Sequence, residues 1–244
     1  MSAPRRSVHA ASLEEAFVLH ARPYRDTSLL LEVFSREQGR VGLVARGARG
    51  GRKRLAEQLQ PFAPLLLSWR GQGELATLTG AEPAGPALLP PTGGLLSGFY
   101  LNELLIRLLH RGDAHPHLFD VYRQTLALLG QETDEEAVLR RFERLLLQEI
   151  GYGLQLEHEA DSGEPVEADR LYDYLPEQGP LPAVGDAPRG VRVHGQTLLA
   201  LARDGDLDAR GRREAKRLMR AALAVHLGDR PLQSRELYRQ QRTL

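Results

Sequence analysis

Ala16 to Ser35 reads AFVLHARPYRDTSLLLEVFS, two apolar runs held apart by Pro23, Tyr24, Arg25 and Asp26. Short runs of this kind, separated by a proline-containing turn, predict two β-strands joined by a tight connection. Downstream, Glu37-Gln38-Gly39 leads into RVGLVAR (40–46), where Val41, Leu43 and Ala45 alternate with Gly42 and Val44 as a third strand. QPFAPLLLSW (60–69) and LATLTGAE (75–82), on either side of Gly71-Gln72-Gly73, add a fourth and a fifth. Five strands with one longer excursion between the third and fourth match an OB-fold barrel, which binds oligonucleotides on a concave face and on its L12 and L45 loops. Another five-stranded barrel, SH3-like for example, fits the same pattern. In this chain L12 carries Arg22, Tyr24 and Arg25, and L45 carries Arg70.

The excursion itself reads RGARGGRKR from Arg46 to Arg54, five cations and three glycines in nine residues. Arg46, Arg49, Arg52, Lys53 and Arg54 supply charge that displaces counterions from a phosphate backbone. The glycines leave backbone N–H groups free to face phosphates. A solvated loop, an acidic protein partner or a membrane surface also fits a basic run of this kind. The formal net charge of the chain is zero, but the signs are segregated. Residues 1–80 hold 12 basic and 7 acidic side chains, residues 133–187 hold 4 and 14, and residues 188–244 hold 13 and 6. Two basic regions flanking an acidic one suit a chain that grips nucleic acid near its ends.

With 244 residues the chain can bury two cores. There is no cysteine, so disulfides and thiolate metal sites are excluded. No apolar stretch reaches membrane-spanning length, and residues 1–13 read as a flexible tail rather than a signal peptide. A cytoplasmic, nucleoid-associated location is expected. The fold class expected is α+β: an OB-fold domain over residues 14–83, a proline- and glycine-rich linker over 84–94, and a helical bundle domain over 95–244. Within the latter, the spacing predicts helices from Leu95 to Arg111, His117 to Leu129, and, behind a capping box opened by Thr133, through to Ile150. Further helices are expected over 197–203, 209–227 and 234–241. Residues 154–193, with five prolines and many acids, read as loops with short strands.

On the helix from Ala209 to Leu227, Arg213, Lys216, Arg217 and Arg220 fall at i, i+3, i+4 and i+7 and share a face, with Arg212 beside them. That face is either a second phosphate grip or a solvated stripe. Phe17, Phe34, Phe62 and Trp69 sit inside apolar runs and read as core, which leaves Tyr24 as the base-stacking candidate. The clusters His110/Asp113/His115/His117 and Glu157/His158/Glu159/Asp161 lack the spacing of a metal site and read as solvated turns. His20 reads as a satisfied barrel residue. No nucleophile elbow, phosphate loop or zinc-protease motif is present, and neither an enzyme, a cofactor nor a bound metal is expected.

Seven stretches, in order along the chain, resemble the RecO recombination-mediator family in its gammaproteobacterial form. They are AFVLHARPYRDTSLLLEVFS from Ala16, GRVGLVARGAR from Gly39, LQPFAPLLLSWRGQGELATL from Leu59, YLNELLIRLL from Tyr100, LRRFERLLLQEIGYG from Leu139, SGEPV from Ser162 and LGDRPLQSRELYRQ from Leu227. The resemblance implies an N-terminal OB-fold and a C-terminal helical domain. It implies binding of single- and double-stranded DNA, strand annealing, and loading of RecA, together with RecR, onto strands coated by single-stranded-DNA-binding protein. Many relatives carry a four-cysteine zinc finger after the position of Gly153. Here EHEADSGEPV (157–166) has no ligand set to rebuild it. The same resemblance implies docking of the acidic, carboxylate-ended tail of single-stranded-DNA-binding protein, for which the helix from Asp134 to Ile150 offers Leu139, Arg140 and Arg144, with Arg140 as the main carboxylate partner. An OB-fold RNA binder and a pure protein-interaction adaptor are the alternatives.

Overall fold

The computed structural model describes residues 13–50, 53–71, 73–89, 94–131, 134–228 and 230–241, and within these the side chains of 53, 54 and 238–241 are left aside. Arg52 and Thr133 therefore lie outside the described residues. Contacts divide the chain into two units, one of residues 1–91 and 102–119 and the other of residues 92–101 and 120–244.

The first unit is built on β1 (Glu14–Tyr24), β2 (Ser28–Ser35), β3 (Gly39–Ala45), α1 (Lys53–Gln58), β4 (Pro64–Arg70) and β5 (Ala76–Pro83). The strands close into a barrel in the order β1-β2-β3-β5-β4. β3 and β5 pair in parallel, and the other neighbours are antiparallel. This is the OB-like barrel that the strand spacing predicts. Alternation sends Ala16, Val18, Leu31, Val33, Leu43 and Leu67 inward. The basic excursion is not all loop: it closes with the short helix α1, whose Leu55 and Ala56 pack against the barrel core.

Two irregularities correct the sequence reading. β1 bulges between Val18 and His20, so Val18 and Leu19 are both buried while His20 is exposed and not part of the core. The bulge frees the Leu19 carbonyl, which accepts a hydrogen bond from Asn102 Nδ2 at 2.8 Å. Phe17 and Phe34 face outward from the barrel, and Phe119 covers them at ring distances of 5.3 and 5.5 Å. Residues 102–119, which the sequence places with the helical domain, thus group with the barrel.

The remaining elements are α2 (Leu95–Leu108), α3 (Pro116–Leu129), α4 (Glu135–Glu149), β6 (Leu171–Leu175), β7 (Gly179–Pro182), β8 (Val191–His194), α5 (Gly195–Ala202), α6 (Ala209–Leu227) and α7 (Gln233–Gln241). α2 and α3 each contribute residues to both units. Asp134 fills the N-cap of α4, accepting from the Ala137 N–H at 3.2 Å. Asp208 does the same for α6 at 2.6 Å. The insert is more regular than its composition implies. β6, β7 and β8 form an antiparallel sheet in the order β7-β6-β8. Ahead of it, the Glu159 carboxylate accepts from Ser162 Oγ at 2.7 Å and from Arg170 Nη1 at 2.9 Å. A carboxylate–guanidinium hub therefore organises the stretch 157–166.

Buried or paired carboxylates give this unit a defined acid response. At Glu214, desolvation works to raise the carboxyl, but the His194 backbone N–H, the Thr197 hydroxyl and the His194 ring outweigh it and hold the group below the usual range. Asp173 is held low by the Arg192 guanidinium, against desolvation, and Glu136 by its hydrogen bond from Lys216. A carboxyl whose folded pKa lies below its unfolded value contributes stability above the unfolded value, and that contribution is lost as the pH falls through the folded pKa. The urea midpoint is expected to hold between about pH 7 and 5 and to fall steadily below about pH 4, where the unfolded chain takes up its protons first. A midpoint independent of pH throughout that acid range would contradict the assignment.

Candidate nucleic-acid interface

The register of the barrel places two of the predicted cations on one line. Arg22 pairs with Leu30, Leu30 with Val44, Val44 with Thr77, and Thr77 with Arg70. These five residues form one cross-strand row running over all five strands, with an exposed arginine at each end. Beyond the row, the β1–β2 turn carries Arg25 and the turn after β3 carries Arg46 and Arg49. The two turns touch, since the Arg49 N–H donates to the Thr27 carbonyl at 2.8 Å. The chain then enters α1 at Lys53 and Arg54. Arg22 and Tyr24 belong to β1 and Arg70 to β4, so these L12 and L45 candidates sit on strand ends, and of the L12 set Arg25 alone lies in the turn.

Two groups stand out among the described arginines of this unit. Arg36 lies 4.0 Å from both Glu15 and Glu37, Arg40 lies 3.4 Å from Glu32, and Arg111 pairs with Glu32 and donates to the Glu74 carbonyl. Arg22, Arg25, Arg46, Arg49 and Arg70 are exposed, and among the described residues none of them pairs with a carboxylate. Tyr24 is half-buried, and the Arg25 guanidinium lies 5.2 Å above its ring centre. That face of the stacking candidate is therefore covered by a cation–π contact.

The cations of α6 are arranged differently. Arg213, Arg217 and Arg220 are exposed and Lys216 is half-buried. Lys216 Nζ lies 2.7 Å from Glu136, Arg212 lies 2.6 Å from Asp134, and Arg217 Nη2 donates to the Arg192 carbonyl at 3.2 Å. Part of this stripe is thus committed to internal partners, a pairing that helical spacing alone does not reveal.

The helical unit holds a cavity of about 220 Å³ between α3, α4 and the end of α5. Val121, Leu128, Val138, Leu145 and Leu201 make its apolar wall, and Arg140, Arg141 and Arg144 supply the charge. Of the residues expected there, Leu139 is buried but does not line it. Arg140 Nη2 donates to Glu143 Oε1 at 2.7 Å, and Glu143 also accepts from the Tyr100 hydroxyl at 2.6 Å. Burial and the Glu143 carboxylate push the Tyr100 phenol far above its ordinary range. Asp204 meets Arg144 at 2.8 Å and Arg141 at 3.3 Å. Sequence reasoning missed Asp204 because it stands 60 residues from its partner. Its only local signal is an Asp-Gly pair closing α5. Among the described residues no group of three or more His, Cys, Asp or Glu is placed to hold a metal ion, and no helix is long and apolar enough to cross a membrane.

An OB-like barrel with a cluster of arginines that have no carboxylate partner among the described residues, followed by a helical unit with an arginine-lined cavity, defines an OB-barrel protein with a helical second unit. Comparison with known families agrees along the whole chain. The model of the recombination protein O N-terminal region matches residues 11–87, and that of its C-terminal region matches residues 94–236. The DNA repair protein RecO of Nitrosococcus oceani is 51% identical over 95% of this chain and 94% of its own. That of Methylococcus capsulatus is 52% identical over 97% of each, and that of Ralstonia nicotianae 46% identical over 95% and 85%. The chain belongs to the RecO family.

Proposed function

We propose that this protein serves DNA repair and recombination as a mediator in the cytoplasm. In this reading it binds single- and double-stranded DNA through the barrel arginines, anneals complementary strands, and with RecR helps load RecA onto strands coated by single-stranded-DNA-binding protein. The supporting observation is the gathering of Arg22, Arg25, Arg46, Arg49 and Arg70 on exposed positions without carboxylate partners among the described residues, beside Arg36, Arg40 and Arg111, which each have one. Neutralising phosphates on two strands lowers their repulsion, while contacts made to the backbone leave base edges free to pair. No chemical step is catalysed, so annealing needs neither ATP nor a divalent cation. The cavity on α4 receives the acidic, carboxylate-ended tail of single-stranded-DNA-binding protein, which an arginine beside an apolar wall suits.

The test is fluorescence anisotropy with single-stranded DNA across a salt series. Replacing Arg25, Arg46 and Arg49 together by Ala removes three phosphate contacts. The slope of log K against log salt is expected to flatten by about two units, at about 0.7 per contact on a single strand. A slope equal to that of the parent protein would remove these arginines from the interface.

A further inference from the structure

Every cation that faces the α4 cavity already has an internal carboxylate beside it. Arg140 is held by Glu143, Arg141 and Arg144 by Asp204, and in the adjoining cavity of about 90 Å³ Arg212 is held by Asp134 and Lys216 by Glu136. An incoming carboxylate therefore competes with one of the protein's own. These internal acids differ in how easily they leave. Glu143 is fully buried and fixed by Tyr100 as well as Arg140. Asp204 has a side chain 35% exposed, lines both cavities, and alone among these acids joins two guanidinium groups.

The backbone gives a second reason to single out Asp204. It follows the last turn of α5, where Arg203 is the C-cap and the Gly205 N–H returns to the Ala200 carbonyl at 2.8 Å. Helices closed in this way put a left-handed residue after the cap, usually Gly and sometimes Asn. Here that residue is Asp204, with φ 51°, and the glycine stands one place later. A strained position thus carries a carboxylate aimed at α4. Opposite it, Arg144 is only 15% exposed and its Nε is buried without a hydrogen-bond partner. The arginine is fixed, and the acid on the exposed turn is the partner free to move to water.

We propose that Asp204 is a resident stand-in for the ligand's carboxylate and sets the specificity of the cavity. This rests on the reading of the cavity as a docking site for a carboxylate-ended peptide. A segment with a terminal carboxylate replaces Asp204 on Arg141 and Arg144, releases it to solvent, and settles its apolar residues on the wall below. An apolar segment without that carboxylate could displace Asp204 only by stranding the arginines, and is refused.

Fluorescence polarisation on the full chain tests this with a labelled peptide of the acidic tail of single-stranded-DNA-binding protein, made both as the free acid and as the C-terminal amide. Asp204→Asn keeps a residue that tolerates the left-handed backbone, and Asp204→Gly supplies the one that favours it. Both variants are expected to bind the free acid about three- to fivefold tighter than the parent, the range of a part-exposed ion pair, with the amide unaffected. Adding Arg144→Ala should erase that gain. If the parent binds the free acid and the folded variants bind it no better, the stand-in is wrong and the docking reading survives. If neither parent nor variants bind either peptide, the docking reading fails and the stand-in with it.

Discussion

Replacing Glu143 by Ala is expected to lower the unfolding free energy by about 3–5 kcal/mol, the size seen when one partner of a buried ion pair is removed. Glu143 has no exposed surface, and its Oε1 receives both the Tyr100 hydroxyl and Arg140 Nη2. Arg235 reaches the same hydroxyl at 3.2 Å, so the truncation leaves a buried guanidinium without its acceptor and disturbs a contact linking α2, α4 and α7. Glu143→Gln keeps an acceptor but removes the charge, and should fall between the two. Urea denaturation followed by circular dichroism reads the effect. A loss below about 1 kcal/mol for the alanine variant would mean that water reaches Arg140. The same network makes Arg140→Ala a poor probe of peptide docking. That change strands Glu143, and weakened binding would report a loosened helical unit as much as a lost contact. Arg144, whose partner is the half-exposed Asp204, is the cleaner substitution.

Gly39→Ala should be comparably severe in the barrel. Gly39 opens β3 with φ 63°, a region that costs an L-residue about 1–2 kcal/mol. A Cβ built there would stand 1.7 Å from the main-chain oxygen of Asp113. No side-chain rotation relieves that overlap. The segment 111–114 must retreat, although the Gly112 N–H donates to the Arg40 carbonyl at 3.0 Å and Arg111 pairs with Glu32. Strain and overpacking together predict a loss of roughly 2–5 kcal/mol. Thermal melting against the parent checks it, and an unchanged midpoint would show that the segment yields freely.

The barrel was largely legible because its strands alternate and its turns carry Gly and Pro, signals confined to a few residues. The start of α4 was signalled by the capping-type run opened at Thr133 for the same reason, with Asp134 in place as the N-cap. The bulge at Leu19 was not legible, because the side chain that satisfies its carbonyl is 83 residues away. Nor was the short helix α1, hidden in a run whose charge and glycines argue for loop. At the candidate sites, sequence identified which residues were cationic but not which of them were already paired. Lys216 with Glu136 and Arg144 with Asp204 are partners only in three dimensions. The separation of unpaired arginines on the barrel from paired ones on α4 and α6 is the main information the fold adds.

The discontinuous make-up of the barrel unit limits how this chain could be rearranged. The proline- and glycine-rich stretch near residue 90 looks like a seam at which modules could be exchanged between relatives. Yet Phe119, Asn102 and Arg111, all encoded beyond that seam, cover Phe17 and Phe34, satisfy Leu19 and neutralise Glu32. A chimera joined at the seam would bring a foreign lid to these residues, and a barrel released there would present two phenylalanines to water. Inherited variation on the outer face of β1 and β2 is thus tied to variation in a segment far along the gene, and the two are expected to drift as a pair.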